Sequence, residues 1–440
     1  MSLFDPGLPP TPSGRPALVR AIGRGDLMAS VINCVVGSSI FGMPAVLAAL
    51  TGEWSPAVYA AAGIGILAIV LCHAEVASRF TEGGGPYLYA REAFGPFVGV
   101  QAGWLSFCTR ATSMGANLNV FADYLAQILP RAGEGPGRIV TMSAVTAIVA
   151  VINVAGVRAG ARTVDAFVVA KLLPLVLLVV LGLPRLSSAT LASQHVESPD
   201  WTQAVLLLVT AYGGFEAALI PAGEVRNPRG DSAFALLAGM AVVASVYLLV
   251  QLTVVGVLPH AAQAKAPVAA AFDVLLGRPG VALASLAAMV STYGWTVGST
   301  LNSPRIFYSM GERGELPKLF AHVHPRYRTP DVAILFYAGG GLAFAASGGF
   351  AANATLSAIV RCVTYGLVAV ALLVFRGRDA APAGFRTPLA SVVAPVAIAF
   401  CLWLLVTRTF TQAWILLALM AFGTVLWLVP AWRRRSRAAF

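Results

Sequence analysis

The chain has 440 residues, of which 58% are hydrophobic and 11% charged, and it carries a formal net charge of +11. A soluble domain has about a quarter of its residues charged, so this balance excludes a soluble fold. It also removes nucleic acid as the reason for the positive charge. The composition is that of an all-α integral membrane protein.

A helix needs roughly 20 apolar residues to cross the hydrocarbon core. Runs of that kind predict 12 transmembrane helices, at 26–50, 56–79, 97–129, 138–157, 163–184, 202–222, 232–258, 279–309, 331–348, 353–375, 389–407 and 411–431. Residues 1–24 are rich in Pro, Gly and Arg and read as a cytoplasmic tail. The first run is too long for a signal-peptide core, so it is expected to stay in the chain.

The 30 Lys and Arg divide unevenly between the sides: 20 fall on the side of the termini, 6 on the other and 4 within spans. The positive-inside rule then places both termini in the cytoplasm and the protein in the cell (inner) membrane. The terminal Arg433, Arg434, Arg435 and Arg437 anchor that side and face anionic membrane lipid. All five cysteines lie within predicted spans with no paired spacing, which points to apolar filler rather than a disulfide framework or a zinc site. The Asn353-Ala354-Thr355 sequon is expected in an outer loop.

Two spans contain residues that helix stability alone does not favour. Span 1 holds Val35-Val36-Gly37-Ser38-Ser39-Ile40-Phe41-Gly42-Met43-Pro44, and span 6 holds Tyr212-Gly213-Gly214-Phe215-Glu216 with Pro221. In each, a proline follows a glycine by seven residues. Two interrupted spans five helices apart are the mark of a 5+5 inverted repeat. The division is then a transport core at 25–375, with repeats at about 25–184 and 201–375, accessory helices 11 and 12 at 376–431, and a basic tail at 432–440.

Unwinding frees backbone groups that hydrocarbon does not tolerate, unless they face protein, water or a ligand. Half-helix N-termini suit a carboxylate, and unwound carbonyls suit an ammonium. An α-amino acid has both ends. Ser38 and Ser39 with neighbouring amides are expected to hold the carboxylate, and the Val35, Val36 and Tyr212 carbonyls the amino group. The competing reading is close helix packing by small residues.

Charged residues within spans are costly and usually functional. Glu216 follows the second break and is a candidate to carry or sense a proton. Lys171 in span 5 is a buried amine. Either is alternatively half of a structural pair, such as Glu216 with Arg110. Asn33 joins these three as a candidate coupling or gating residue. Arg305 and Arg361 read as helix-end anchors or packing partners. Asn33 and Asn117 each need a partner in the bundle, and Phe41, Tyr212, Phe215, Tyr293 and Trp295 are aromatics placed to gate or line a pocket.

Four segments carry a family resemblance: Gly37 to Ala45, Ala74 to Trp104, Ala211 to Gly230, and Arg305 to Pro330. Together with the span pattern, over roughly 23–430, the chain resembles amino acid permeases of the amino acid/polyamine/organocation (APC) superfamily, with a leucine-transporter-like fold. The resemblance implies that the backbone amides of Ser38, Ser39 and Ile40 hold a substrate carboxylate, beside Gly37 and the Val35 carbonyl. It further implies that Tyr212, Gly213, Gly214 and Phe215 form the unwound part of span 6 and that Glu216 serves gating or proton coupling.

Lys171 matches a lysine that in sodium-independent members takes the place of a bound sodium ion, which leaves proton symport or exchange. Three departures stand out. Ser39 replaces the usual second glycine and favours a small substrate. Gly223-Glu224 replaces an acidic pair, and the proline expected shortly after Arg229 is absent. His73 stands where many members have an aromatic. The expected function is secondary amino acid transport by alternating access, with no enzymatic step, cofactor or metal. A polyamine or organic-cation transporter of the same fold, and an amino acid sensor, remain as rivals.

Overall fold

The computed structural model describes residues 22–82, 84–156, 161–220, 225–378 and 382–438, the side chains of 161–167 and 429–438 excepted. Pro221, Gly223, Glu224, Arg15, Arg20 and Arg158 lie outside the described residues, as do the side chains of Arg162 and of Arg433 to Arg437. Among the described residues the fold is helical throughout; one isolated bridge pairs Ile22 with Val225.

The helices, in order, are α1 (Arg24–Val35), α2 (Ser39–Thr51), α3 (Ser55–Ser78), α4 (Pro86–Phe94), α5 (Pro96–Leu125), α6 (Gly135–Val154), α7 (Ala161–Gly182), α8 (Ser188–Ala192), α9 (Trp201–Ala211), α10 (Phe215–Ala218), α11 (Pro228–Val257), α12 (Pro267–Leu276), α13 (Arg278–Glu312), α14 (Asp331–Ser347), α15 (Phe350–Gly377), α16 (Ala390–Val406) and α17 (Phe410–Ala438). Proline stands in the first turn of α3, α4, α5, α6, α11, α12 and α13, where its missing N–H costs nothing. Asp200 and Asn227 cap α9 and α11 by accepting from Gln203 N at 2.9 Å and Gly230 N at 3.3 Å.

Among the described residues, seven helical stretches are long and apolar enough to cross a membrane: Ser39–Ser78 (α2 running into α3), Gly135–Val154, Val168–Arg185, Pro228–Val257, Arg278–Glu312, Phe350–Gly377 and Phe410–Leu428. The other runs read from the sequence fall on interrupted α1/α2 and α9/α10, on the shorter apolar α14 and α16, and on α5. The last case is instructive. Helix α5 carries Arg110, Thr112, Ser113, Asn117 and Asn119, all buried, and it is wrapped by α4, α13, α14 and α15. These polar side chains face the bundle, most of them hydrogen-bonded there, and they lower the helix's mean hydropathy although it is central. Helix α17 is the opposite: it docks on α5 through Trp104 Nε1 to Leu419 O (2.7 Å) and exposes Phe410, Trp414, Leu417 and Phe422.

At the end of the bundle that carries Arg79 and Arg376, the buried Glu75 of α3 gathers four donors. Arg376 gives two, at 2.9 and 2.6 Å, Arg79 one at 2.8 Å and the Thr387 amide one at 2.8 Å. This joins α3, α15 and the segment leading into α16. The Asn353 amide donates to the carbonyls of Phe344, Gly348 and Gly349 from the first turn of α15 and is 4% exposed, so the sequon lies in a buried helix start and not in the outer loop expected.

Candidate functional site

Helix α1 ends at Val35 and α2 begins at Ser39, so Val36, Gly37 and Ser38 form the first break. Helix α9 ends at Ala211, and Gly214, at φ +115°, begins a new turn after the second break. A left-handed backbone is costly for any residue with a Cβ. A Cβ at Gly214 would also stand 2.4 Å from the Cys34 carbonyl oxygen. The two breaks therefore touch, backbone against backbone, in the middle of the bundle.

At the first break nearly every carbonyl has a side-chain donor from another helix. Lys171 Nζ of α7 donates to Asn33 Oδ1 (2.7 Å) and Val36 O (3.0 Å), and more weakly to Asn33 O (3.4 Å). Trp295 Nε1 of α13 donates to Cys34 O (2.9 Å), Tyr247 OH of α11 to Val35 O (3.2 Å), and Ser291 Oγ of α13 to Gly37 O (3.4 Å). The freed carbonyls that the bilayer would penalise are thus matched by protein. The N–H side differs: the amides of Gly37, Ser38 and Ser39 have no hydrogen-bond acceptor among the described residues.

At the second break the Glu216 carboxylate folds back to accept from Gly214 N (2.9 Å) and is clasped by α15: Arg361 Nη1 donates at 2.6 Å and Tyr365 OH at 2.9 Å. Arg110 of α5 stands 3.5 Å away on the same carboxylate oxygen as an ion pair. The sequence pairing of Glu216 with Arg110 is thus present but secondary. Arg361, read as an anchor or packing partner, is the closer ion-pair partner; it sits in the middle of α15 and is 2% exposed.

Between the breaks lies a cavity of about 20 Å³ lined by Val35, Gly37, Ser38, Ser39, Ser113, Ala116, Asn117, Thr210, Gly213, Trp295 and Arg361. That volume has room for about one water, so the site is contracted. Of the substrate residues read from sequence, Val35, Gly37, Ser38, Ser39 and Gly213 line it. Ile40 and Gly214 are buried beside it without lining it.

Phe215 faces elsewhere, against Tyr365 and His73 with ring centroids 5.3 and 5.1 Å apart. Tyr212 lines an apolar groove of about 380 Å³ between α3 and α11; its hydroxyl donates to Tyr59 O (3.1 Å) and its ring stacks on Tyr247. His73 accounts for its place as an aromatic in that cluster, with Nδ1 on Ile69 O at 2.9 Å. Ser113, Ala116 and Thr210 were not legible as lining residues. The signal was available in part: Ser113 and Asn117 are i and i+4 and share one face of α5, and Thr210 lies two residues before Tyr212 at the second break.

Several helices long enough to cross a membrane, two of them interrupted around a small polar cavity, define a multi-pass membrane protein. The amino acid permease profile matches residues 22–428, and the chain belongs to that family, within the APC superfamily. It is 28% identical to the Serine/threonine exchanger SteT of Bacillus subtilis over 72% of this chain and 75% of the relative. It is 25% identical to the b(0,+)-type amino acid transporter 1 of Mus musculus over 82% and 77%. It is also 25% identical to the Methylthioribose transporter of Bacillus subtilis over 88% of each.

Proposed function

We propose that this protein is a sodium-independent secondary amino acid transporter of the cell membrane, working by proton symport or exchange. In this reading its 12 spans form a leucine-transporter-like 5+5 repeat, with both termini in the cytoplasm. The observation that carries the reading is the contact of the two helix breaks beside a cavity lined by Gly37, Ser38 and Ser39, whose amides have no acceptor among the described residues. Those amides, at the positive end of α2, receive the substrate carboxylate. The amino group goes to the Val35 carbonyl; Tyr212, read with it from the sequence, does not line the cavity. Val36 O is engaged by Lys171, and Val35 O, already taking the Tyr247 hydroxyl, has a second lone pair for the ligand.

Lys171 supports sodium independence, because its ammonium lies among three oxygens of the first break, the ligand type a small cation seeks. The contracted cavity supports alternating access: an amino acid needs the walls to part, and spans 1, 2, 6 and 7, which are α1 to α3 and α9 to α11, are the elements expected to rock against the rest. An organic-cation cargo is disfavoured by charge. Among the described residues no acidic side chain lines the cavity; Glu216 beside it is already held by Arg361, and a cationic ligand would meet that guanidinium.

The test is uptake of radiolabelled amino acids into proteoliposomes, with an inward proton gradient, a sodium gradient or internal unlabelled amino acid. Uptake that responds to the proton gradient or internal amino acid, and is the same with sodium or choline outside, is expected. Uptake only with sodium overturns the reading of Lys171. No uptake of any amino acid overturns the transport reading.

A further inference from the structure

We propose that the groove between α3 and α11 is a binding site for one acyl chain of a membrane phospholipid, seated beside the second helix break. The site is separate from the cavity between the breaks, and its occupancy does not depend on the transport reading. The groove holds about 380 Å³, against about 20 Å³ for that cavity. Its lining runs from Tyr59 to Val70 on α3 and from Leu237 to Leu248 on α11. Each stretch advances 11 residues, so the trough is about 16 Å long. Both stretches belong to helices long and apolar enough to cross a membrane.

Small residues open the trough, and the space they leave is not taken up by close helix packing. A Cβ at Gly63 would meet only the Tyr212 hydroxyl, at 3.9 Å, although glycine weakens a helix interior. Ala60, Ala241 and Ser245 are exposed along the opening, and Ile64 and Leu67 stand on its rim, 74% and 50% exposed. In a membrane-crossing pair of helices that opening faces hydrocarbon, so what lies against it is a lipid tail.

The wall offers little to a polar ligand. Among the described residues no charged side chain lines it. The Ser245 hydroxyl donates to Ala241 O (2.9 Å) and the Tyr212 hydroxyl to Tyr59 O (3.1 Å), while the Tyr59 hydroxyl is enclosed in a residue 1% exposed. A run of methylene groups matches such a surface through many weak dispersion contacts.

The position gives the chain a consequence. Tyr212 is part of the groove wall and is followed at once by Gly213, which lines the cavity between the breaks. Its ring stacks on Tyr247, whose hydroxyl donates to Val35 O at the first break. A chain in the groove therefore packs against the aromatic pair that backs both breaks and stabilises it.

The experiment uses the full chain in phosphatidylcholine vesicles doped with phosphatidylcholine that carries a diazirine midway along one acyl chain. After illumination, the labelled residues are mapped by peptide mass spectrometry. Labelling per residue is expected to be about fivefold higher on the groove lining than at Trp414 and Leu417, exposed on α17. Gly63→Leu and, separately, Ala241→Leu fill the trough, and each should bring its labelling to within about twofold of that on α17. In detergent, added phosphatidylcholine should raise the Tm of the wild type, and that of Gly63→Leu by about half as much or less.

Even labelling of groove and α17, or labelling unchanged in both variants, overturns the site. A ring-bearing lipid or quinone that copurifies in stoichiometric amount in place of phospholipid overturns the acyl chain as its occupant. An equal Tm gain in wild type and Gly63→Leu overturns the link to the breaks.

Discussion

The two breaks meet in space, yet they are held by different physics. At the first, five carbonyls from Asn33 to Gly37 are matched by four side chains from three helices, so the load is spread over many modest hydrogen bonds. At the second, one carboxylate is clasped by its own backbone, two arginines and a tyrosine. A distributed arrangement loses a little with each substitution. A knot of buried charge loses much with one, because the remaining partners are left uncompensated.

The largest effect is therefore expected from Glu216→Gln, which leaves Arg361 buried without its counter-charge. About 3–5 kcal/mol of stability should be lost, read as a fall in Tm of the detergent-purified protein. The double change Glu216→Gln with Arg361→Gln should recover part of that fall; if it recovers none, charge compensation is not what holds the second break.

Lys171→Met strips donors from Asn33 Oδ1 and Val36 O together and is the heaviest single loss available at the first break, at about 2–4 kcal/mol for two orphaned acceptors. Gly214→Ala tests the contact between the breaks. A left-handed alanine at φ +115°, pressed on Cys34 O, should cost about 2 kcal/mol, and a variant as stable as the parent would mean that the breaks separate easily.

The smallest change is Tyr247→Phe, which removes a single 3.2 Å hydrogen bond to Val35 O and should cost roughly 0.5–1.5 kcal/mol by the same measurement. A loss as large as that of Glu216→Gln would erase the distinction between a distributed and a concentrated break.

Much of this contrast was legible in the sequence. Glycines in two apolar runs announced both breaks, and a lone lysine and glutamate within spans announced their polar supports. What was not legible was pairing across sequence distance. Arg361 lies 145 residues from Glu216, and neither periodicity nor spacing tells which buried charges meet. Helix rotation was equally hidden: Tyr212 adjoins a break, but its ring turns toward Tyr59 and Tyr247 and away from the cavity. Val36 has its carbonyl on Lys171 for the same reason. Glu75 ends an apolar run with Arg79 one turn on, but Arg376 and Thr387, which supply its other three bonds, come some 300 residues later.

The grip on Glu75 bears on how this architecture can be dismantled. A division of the chain after residue 375 leaves Arg376 and Thr387 with the last two helices, while the carboxylate they hold belongs to α3. A shortened chain ending there would retain Arg79 but lose three of the four hydrogen bonds that Glu75 accepts. A truncation that keeps the stretch through Thr387 keeps all four bonds, and one that ends before Arg376 must replace Glu75 with an uncharged residue.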